Sequence, residues 1–390
     1  MSDGPRIFLA AAEASGDHHA AGLVRALRRR YPTADLVGVA GPEMRAAGCR
    51  TVEDLTQQAQ MLGGAILALP RWLATVKRLQ RAVRDNRPDV FVPVDSPALN
   101  WHLCKAARTV DARILHYVSP QVWAWATWRV GKLRGLTDRV ACILPFEQDY
   151  LRERGVPATF VGHPLFDELS PTPDEAALPD LTEAWIDGRW RVALLPGSRP
   201  VEIARHAMPL RQVAERIVRR WPHARCTFTA LDATAADRIA TACDGRHPEI
   251  AVGRTSEVLA RSHIAVAASG TVTLQVAHFG VPMVVLYGVG GFERAMYRLI
   301  VRHLLHTRWL SLPNIVAGRQ IVPELMPWHG DDGQLWAMVE ECMNDYGWLC
   351  QTRRRLLELS RSLHAPDGSA AETTAALLAD LRSARGRRWQ

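Results

Sequence analysis

Residues 192–199 read Val-Ala-Leu-Leu-Pro-Gly-Ser-Arg, an apolar run that meets a glycine just before an amphipathic segment. A short apolar run that ends at a turn is typical of a strand buried on both faces of a parallel sheet. The glycine permits a tight turn, and polar residues after it are typical of a helix start. The stretch therefore predicts the strand–turn–helix unit from which α/β folds are built.

The same unit recurs along the chain in two series. The predicted strands are 6–11, 36–39, 90–94, 113–117, 140–144 and 159–161, then 192–195, 226–230, 250–252, 264–268 and 283–286. Strands that alternate with amphipathic helices form parallel sheets. We therefore expect an α/β protein with two doubly wound, Rossmann-like domains that face each other across a cleft.

The segment between the two series, 168–188, contains prolines and acidic residues without clear periodicity, and it is predicted to be a linker. From about Asp331 the pattern is helical to the end of the chain. The predicted domains are therefore 1–168 and 188–345, followed by carboxyl-terminal helices over 346–390.

The composition is that of an ordinary globular protein, because 48% of the residues are apolar and 23% are charged. The net charge of +8 favours anionic partners, although a generally basic proteome gives the same value. The seven cysteines include no C-x-x-C spacing, which favours a reducing cytosol over a disulfide framework or a zinc site. No signal-peptide pattern is present, and the most apolar stretch, 61–69, is far shorter than the roughly 20 residues of a spanning helix. We expect a protein that is soluble or lies on a membrane.

Polar residues follow the predicted strands of the first series, where ligands bind in open α/β sheets. After the first strand, Ser15 or Asp17 could cap a helix, and Gly16 permits a tight turn. Asp95 follows the strand 90–94 and is either a general base or the start of a turn before proline. The aromatic and polar stretch 116–125 and Gly162-His163-Pro164 end two further strands, as ligand contacts or as ordinary packing.

The second series contains two glycine turns between a strand and a helix, at Gly197-Ser198-Arg199 and at Ser269-Gly270-Thr271. Backbone N–H groups in such turns bind anions, and an arginine adds a charge-assisted contact. Neither turn is a P-loop or a G-x-G-x-x-G fingerprint. Two anion-binding turns in one domain favour a diphosphate ligand.

An apolar stretch, 61–73, precedes a basic flank at 77–84. This pattern is similar to that of an interfacial membrane patch, and the alternative, a buried helix with a solvated basic face, is the commoner outcome for such a segment. The chain has no His, Cys, Asp or Glu group with metal-ligand spacing, no Ser/His/Asp set that can be assembled from sequence, and no nucleic-acid motif.

These motifs together resemble the lipid-A-disaccharide synthase family of GT-B glycosyltransferases, from residue 6 to about 326. The motifs that carry the resemblance are Ala12–Asp17, Val94–Pro97 with Asn100, His116–Trp125, Leu144–Glu147, Gly162–Pro164, Leu195–Arg199 with Glu202, Ala268–Thr271 and Ser311–Asn314. The strings 116–125 and 311–314 are the most specific to this family.

The resemblance implies an inverting transfer of 2,3-diacylglucosamine from a UDP-sugar donor to 2,3-diacylglucosamine 1-phosphate, an acylated glucosamine phosphate acceptor. It implies Asp95 as the base, with Ser15 and Asn314 as essential polar residues. The other implied substrate contacts are Glu13, Gly16, Asp17, His116, Ser119, Trp123, Gly162, His163, Gly197, Ser198, Arg199, Glu202, Ser269, Gly270, Thr271 and Gln275. The implied membrane patch is Met61, Leu62, Ile66, Leu69, Trp72 and Leu73.

The resemblance also implies a cytoplasmic protein that is bound peripherally to the inner membrane face. No cofactor, metal or nucleic acid is expected. The last helices are expected to pack on the first domain or to be exchanged with a partner chain in a homodimer.

The sequence departs from the family pattern at Gln275, where GT-B enzymes usually carry a glutamate for the ribose, and at 61–64 and 288–293. The amide could weaken UDP binding by roughly 1–3 kcal/mol. Three alternatives therefore stay open. They are a paralogue with another glycolipid acceptor, a UDP-N-acetylglucosamine 2-epimerase, and a non-catalytic lipid- or nucleotide-binding protein at a membrane surface.

Overall fold

The computed structural model describes residues 4–56, 69–124, 127–244, 248–288 and 307–383. The chain divides into two compact units. The first consists of Met1–Glu168 with Leu363–Gln390, and the second is Leu169–Ser362.

The first unit contains a parallel seven-stranded sheet in the order β3-β2-β1-β4-β5-β6-β7. Its strands are β1 Arg6–Ala11, β2 Asp35–Val39, β3 Arg50–Glu53, β4 Val90–Val94, β5 Arg113–Tyr117, β6 Arg139–Cys142 and β7 Ala158–Phe160. Its helices in the first part of the chain are α1 Ala14–Arg30, α2 Pro42–Ala46, α3 Leu69–Asn86, α4 Pro97–Arg108, α5 Val130–Leu136 and α6 Pro145–Arg152.

The core of the first unit lies on both faces of this sheet, because alternate residues of a strand point to opposite sides. Ile7 and Leu9 of β1 join a cluster with α1, whereas Phe8 and Ala10 join a cluster with α3 and α4. The apolar run that predicted this strand is therefore explained by burial on both sides.

The second unit contains a parallel six-stranded sheet in the order β10-β9-β8-β11-β12-β13. Its strands are β8 Arg191–Leu195, β9 Arg225–Ala230, β10 Glu249–Val252, β11 Ile264–Ala268, β12 Met283–Gly288 and β13 Glu324–Trp328. Its helices are α7 Leu181–Asp187, α8 Pro200–Arg220, α9 Ala233–Ala242, α10 Thr255–Leu259, α11 Val272–His278, α12 Leu312–Ala317, α13 Asp332–Asn344 and α14 Tyr346–Leu363.

The chain returns to the first unit through its last described helix, α15 Ala370–Ser383. This helix packs on α1, and Ala375 and Leu378 belong to the same core cluster as Ile7. The carboxylate of Asp167 accepts hydrogen bonds from the N–H groups of Ala370 and Ala371 and so caps the helix.

Two parallel sheets with intervening helices confirm the predicted fold class. The strands β3 and β13 were not predicted, and helix α7 lies inside the segment predicted to be a linker. Leu181 and Ala184 of α7 are buried in the core of the second unit, which gives this short helix its tertiary support. Among the described residues, no helix is long and apolar enough to cross a membrane.

Candidate functional site

The turn after β4 holds Asp95 in a backbone conformation that side chains rarely adopt. Asp95 has φ +44° and Ser96 has φ +40°, so two consecutive non-glycine residues are left-handed. The buried Asn100 fixes this turn, because its Nδ2 donates to the carbonyl oxygens of Asp95 at 2.7 Å and Val94 at 3.1 Å. Strain of this kind costs about 1–3 kcal/mol per residue and clusters at functional sites.

The Asp95 carboxyl group is electrostatically poised for proton transfer. Its pKa is raised from an ordinary 3.8 to about 6, mainly by burial and also by the negative charge of Glu13, against a hydrogen bond with the Ser96 backbone that lowers it. A base with a pKa just below neutral pH is ionised at pH 7 and still basic enough to accept a proton.

The neighbouring strand β5 also ends in a strained residue. Val118 has φ +62°, which is a clear outlier for a β-branched side chain. Beside it, His116 is completely buried, and neither ring nitrogen has a hydrogen bond of good geometry. Burial lowers the pKa of the ring to about 3, against an opposing interaction with the Asp95 backbone. Ser119 is buried as well, and its hydroxyl donates to the Pro120 carbonyl at 3.3 Å. The aromatic stretch therefore begins with a strained turn beside Asp95.

Trp123 is linked to the end of β6 through Glu147. The indole Nε1 donates to Oε1 of Glu147 at 2.9 Å, and the ring packs edge-on against Phe146 at 5.0 Å. The second oxygen of Glu147 accepts from the Leu144 N–H at 3.1 Å. Burial raises the pKa of Glu147 to about 7, and the charge of Asp95 also raises it. The ends of β4 and β6 therefore carry two electrostatically coupled carboxyl groups.

The turn after β1 divides its polar residues between two environments. Glu13 and Ser15 are exposed at the start of α1, whereas Gly16 and Asp17 are buried. The Asp17 carboxylate accepts hydrogen bonds from the N–H groups of Gly41, Glu43 and Met44 at the start of α2. Asp17 therefore caps α2 rather than its own helix, and Glu13 and Ser15 remain accessible.

The Gly162-His163-Pro164 turn receives the returning carboxyl-terminal chain. Gly162 has φ +91°, and a Cβ there would lie 2.5 Å from the backbone nitrogen of Ala365. The His163 N–H donates to the Leu363 carbonyl at 2.8 Å, and its Nδ1 accepts from the Leu165 N–H. Burial lowers the pKa of His163 to about 3. Both residues thus have a structural role in docking the chain end.

In the second unit, the Gly197 turn after β8 is closed by its own helix. Glu202 in the first turn of α8 accepts the N–H groups of Ser198 and Arg199, both at 3.1 Å, and its other oxygen pairs with the Arg199 guanidinium at 2.9 Å. A Cβ at Gly197 would lie 2.6 Å from that carboxylate. The N–H groups predicted to bind phosphate are therefore satisfied by a side chain, while Arg199 is 77% exposed.

The Ser269-Gly270-Thr271 turn after β11 is open. Gly270 has φ +154°, and a Cβ at that position would meet no atom within 4 Å. Within the described part of the chain, no side chain accepts a hydrogen bond from the N–H groups of Gly270 or Thr271. Gln275 on the following helix is half-buried and donates to the Ser256 hydroxyl at 3.0 Å. The N–H groups of Gly270 and Thr271 therefore remain available to an anion, whereas those of Ser198 and Arg199 already donate to Glu202.

His206 connects the ends of β8 and β12. Its Nδ1 lies 2.9 Å from the Pro196 carbonyl oxygen, and its Nε2 accepts the Gly288 N–H at 2.9 Å. Burial lowers the pKa of the ring, so the neutral form that makes both bonds prevails near neutral pH. Sequence reasoning missed this residue, because its partner lies 82 positions away.

Asn314 lies at the centre of a buried network. Its Nδ2 donates to the Val322 carbonyl and to Glu324, both at 2.9 Å, and its Oδ1 accepts the N–H groups of Ile321 and Val322. Glu324 also accepts the hydroxyl and N–H of Ser311. All four hydrogen-bonding positions of Asn314 are used within the second unit, so it holds the Ser311 turn in place.

Part of the predicted membrane patch is described. Trp72 is half-buried against the core between α3 and α4, and Leu73 is 48% exposed. Met61, Leu62 and Ile66 lie outside the described residues, as does Trp125, and the side chain of Leu69 is not described either. Among the described residues, no cluster of His, Cys, Asp and Glu forms a metal site.

The structure therefore brings Asp95, Glu13, Ser119 and Trp123 to the carboxyl edge of the first sheet, beside Glu147, a motif residue for which the sequence predicted no role. The local signal for Glu147 was its place three residues after the helix start at Leu144, which is the capping position. The second sheet brings its two glycine turns, Arg199 and Gln275, to its own carboxyl edge.

A model of the lipid-A-disaccharide synthetase family matches residues 7–339. The lipid-A-disaccharide synthase of Pseudomonas aeruginosa is 37% identical over 84% of this chain and 86% of its own length. That of Geobacter sulfurreducens is 33% identical over 96% of this chain and 97% of its own length.

Solved structures with low sequence identity share the fold. The glycotransferase of kitacinnamycin superposes with a TM-score of 0.62 at 17% identity, covering 97% of this chain and 99% of that one. A UDP-GlcNAc 2-epimerase from Neisseria meningitidis, bound to UDP-GlcNAc, gives 0.59 at 10% identity, covering 96% and 98%.

Proposed function

Because the chain belongs to the lipid-A-disaccharide synthetase family, we propose that it joins UDP-2,3-diacylglucosamine to 2,3-diacylglucosamine 1-phosphate. The product is the β-1,6-linked lipid A disaccharide 1-phosphate, and UDP is released. The proposal goes beyond family membership in its substrates, its stereochemistry and the roles of individual residues.

The observation that carries the proposal is the state of Asp95. The structure maintains two consecutive left-handed residues to place this carboxyl group at the end of β4, and burial raises its pKa to about 6. A residue that only started a turn would need neither feature, and glycine would remove the strain. Both features suit a fixed general base.

In the proposed reaction the Asp95 carboxylate takes the proton of the acceptor 6-hydroxyl while that oxygen attacks the anomeric carbon of the donor. The bond from the anomeric carbon to the diphosphate breaks on the opposite side, and UDP leaves with the bonding electrons. The configuration at the anomeric carbon is therefore inverted. Glu13 contributes negative charge that raises the pKa of Asp95 and so keeps it basic.

We assign the UDP diphosphate to the second unit. The open N–H groups of Gly270 and Thr271 stabilise the leaving charge, and Arg199 adds a cation once it leaves Glu202. Gln275 is assigned to the ribose. Structural neighbours solved with UDP or UDP-GlcNAc share the fold, which supports a nucleotide-sugar donor.

We also propose that the protein lies at the inner face of the cytoplasmic membrane. Both substrates are acylated, and the exposed Leu73 on the first turns of α3 suits contact with acyl chains.

The test is UDP release by the purified protein in detergent, with each substrate alone and with both together. UDP formation only with both, together with a disaccharide phosphate of the expected mass, supports the proposal. Epimerisation of UDP-N-acetylglucosamine would contradict it. So would UDP binding without turnover by folded protein, assayed beside an active synthase.

A further inference from the structure

Trp128 is the most exposed aromatic side chain among the described residues, at 65% exposure. It lies in the short helical turn Thr127–Arg129, directly before α5. The Arg129 guanidinium lies 5.0 Å and the Lys132 ammonium 5.5 Å from the centre of its ring. Both distances are within the range of cation–π interactions, so two cations lie beside an indole that the fold leaves in solvent.

The chain segment that contains Trp128 carries charge of one sign. Residues 121–137 contain three cations, Arg129, Lys132 and Arg134, and no aspartate or glutamate. The next carboxylate, Asp138, is 3% exposed and pairs with arginines of α4 and β5 at 3.0 and 3.3 Å. An anion that approaches this surface therefore meets positive charge without a competing acid from the same segment.

The fold places Trp128 on the same helical layer as Leu73. Helix α3 packs on α4, and α4 packs on α5. Helix α3 has 18 residues and ends at Asn86, shortly before β4 begins at the amino edge, so its first turns reach the carboxyl edge. Trp128 follows β5 at that edge. The exposed apolar side chains Leu73 and Trp128 therefore occupy the same edge and layer of the first unit.

We propose that Trp128, Arg129 and Lys132 form an anchor that binds the surface of an anionic lipid bilayer. An indole is preferred at the membrane interface, where its ring contacts acyl chains and its N–H stays hydrated. Lysine and arginine are attracted to anionic headgroups and bury their stems beside the indole. A lipid surface fits better than nucleic acid, because the exposed aromatic shares its edge of the unit with an exposed aliphatic side chain rather than lying in a row of stacking rings.

This anchor deepens the proposed function, since it presents the carboxyl edge of the first sheet to the phase that contains acylated substrates. Binding to lipid is nevertheless measurable without any sugar. The experiment is sedimentation of the whole protein with phosphatidylcholine vesicles, with and without phosphatidylglycerol, at low and high salt.

Trp128→Ala is expected to lower the partition coefficient on anionic vesicles about tenfold through the lost indole area. Lys132→Ala is expected to lower it about fivefold on anionic vesicles at low salt and to have little effect on neutral ones. The matched control is Trp185→Ala, because Trp185 is 45% exposed on α7 of the second unit. Its partition coefficient should stay within twofold of the unchanged protein.

Equal loss in Trp128→Ala and Trp185→Ala, or no loss in Trp128→Ala, would overturn the anchor. Tighter binding of the protein to single-stranded DNA than to anionic vesicles, lost in Trp128→Ala, would also overturn it in favour of nucleic acid. Failure of the anchor leaves turnover of detergent-dispersed substrates intact, whereas failure of the proposed function abolishes turnover and leaves vesicle binding intact. The two failures are therefore distinguishable.

Discussion

Both sheets have residues with positive φ at their carboxyl edges, but the two edges use different types of residue for this conformation. At the first edge, Asp95, Ser96 and Val118 adopt it with side chains attached. At the second edge, Gly197 and Gly270 supply it at little steric cost. The pKa is raised to between about 6 and 7 for the carboxyl groups of Asp95 and Glu147 at the first edge.

The difference indicates a division of labour. Strain and a raised carboxyl pKa are tolerated where a side chain must be held for chemistry. Glycine turns expose N–H groups, which suits the binding of an anion. We therefore expect changes at the first edge to act on turnover and changes at the second edge to act on affinity for UDP.

The largest expected effect is at Asp95. Asp95→Asn keeps the shape of the turn and removes the base, so kcat should fall by about 10²–10⁴-fold in the UDP-release assay. Asp85→Asn, at an exposed position on α3, is the matched control and should leave kcat unchanged. A loss of less than about tenfold in Asp95→Asn would mean that Asp95 only positions the acceptor.

The next effect is on the stability of the second edge. Asn314→Ala leaves two N–H groups and one carbonyl without their side-chain partner and removes one of the three hydrogen bonds to Oε2 of Glu324, so the free energy of unfolding should fall by about 3 kcal/mol. Urea unfolding followed by fluorescence measures this. Asn86→Ala, which removes a half-buried amide from α3, should cost less than about 1 kcal/mol. Equal losses of unfolding free energy in the two variants would contradict the hydrogen-bond network around Asn314.

A smaller effect is expected where the first glycine turn is closed. Glu202→Gln removes the charge that holds Arg199, so UDP should bind up to about fivefold more tightly by calorimetry. Arg199→Ala should weaken UDP binding, because the guanidinium is the group that Glu202→Gln releases. Weaker binding in Glu202→Gln would instead make Glu202 part of the binding site.

The smallest effect concerns the pH dependence of the first edge. Turnover should decline as pH falls through about 6, because the Asp95 base becomes protonated. Glu13→Gln removes a charge that raises this pKa, so the acid limb of kcat/KM should move to lower pH by less than about one unit. A limb that moves to higher pH would show that Glu13 acts on another group.

Local patterns were sufficient for much of the fold. The strands at 6–11, 90–94, 113–117 and 264–268 were predicted to the residue, because burial on both faces favours largely apolar runs. The strands β3 and β13 were missed, since Arg-Thr-Val-Glu has no apolar run, and the proline in Glu-Leu-Met-Pro-Trp argues against a strand. Tertiary pairing with β2 and β12 makes them strands.

Local patterns were less informative about the candidate site. They located Asp95 and both glycine turns, because strand ends and glycines are visible in the sequence. The partners of Asp17 at the start of α2 and the bridge from His206 to Gly288 depend on chain segments far apart in sequence. The sequence also could not show that Glu202 closes one turn while the other stays open, because this depends on the side-chain conformation.

The most direct test of the division of labour is the dissociation constant of UDP, measured by calorimetry for Asp95→Asn and Gly270→Ala. Alanine at Gly270 cannot easily keep φ +154°, so the turn should distort and UDP should bind at least about tenfold more weakly. Asp95→Asn should bind UDP within twofold of the unchanged protein. Loss of UDP affinity in Asp95→Asn, with affinity retained in Gly270→Ala, would contradict the account.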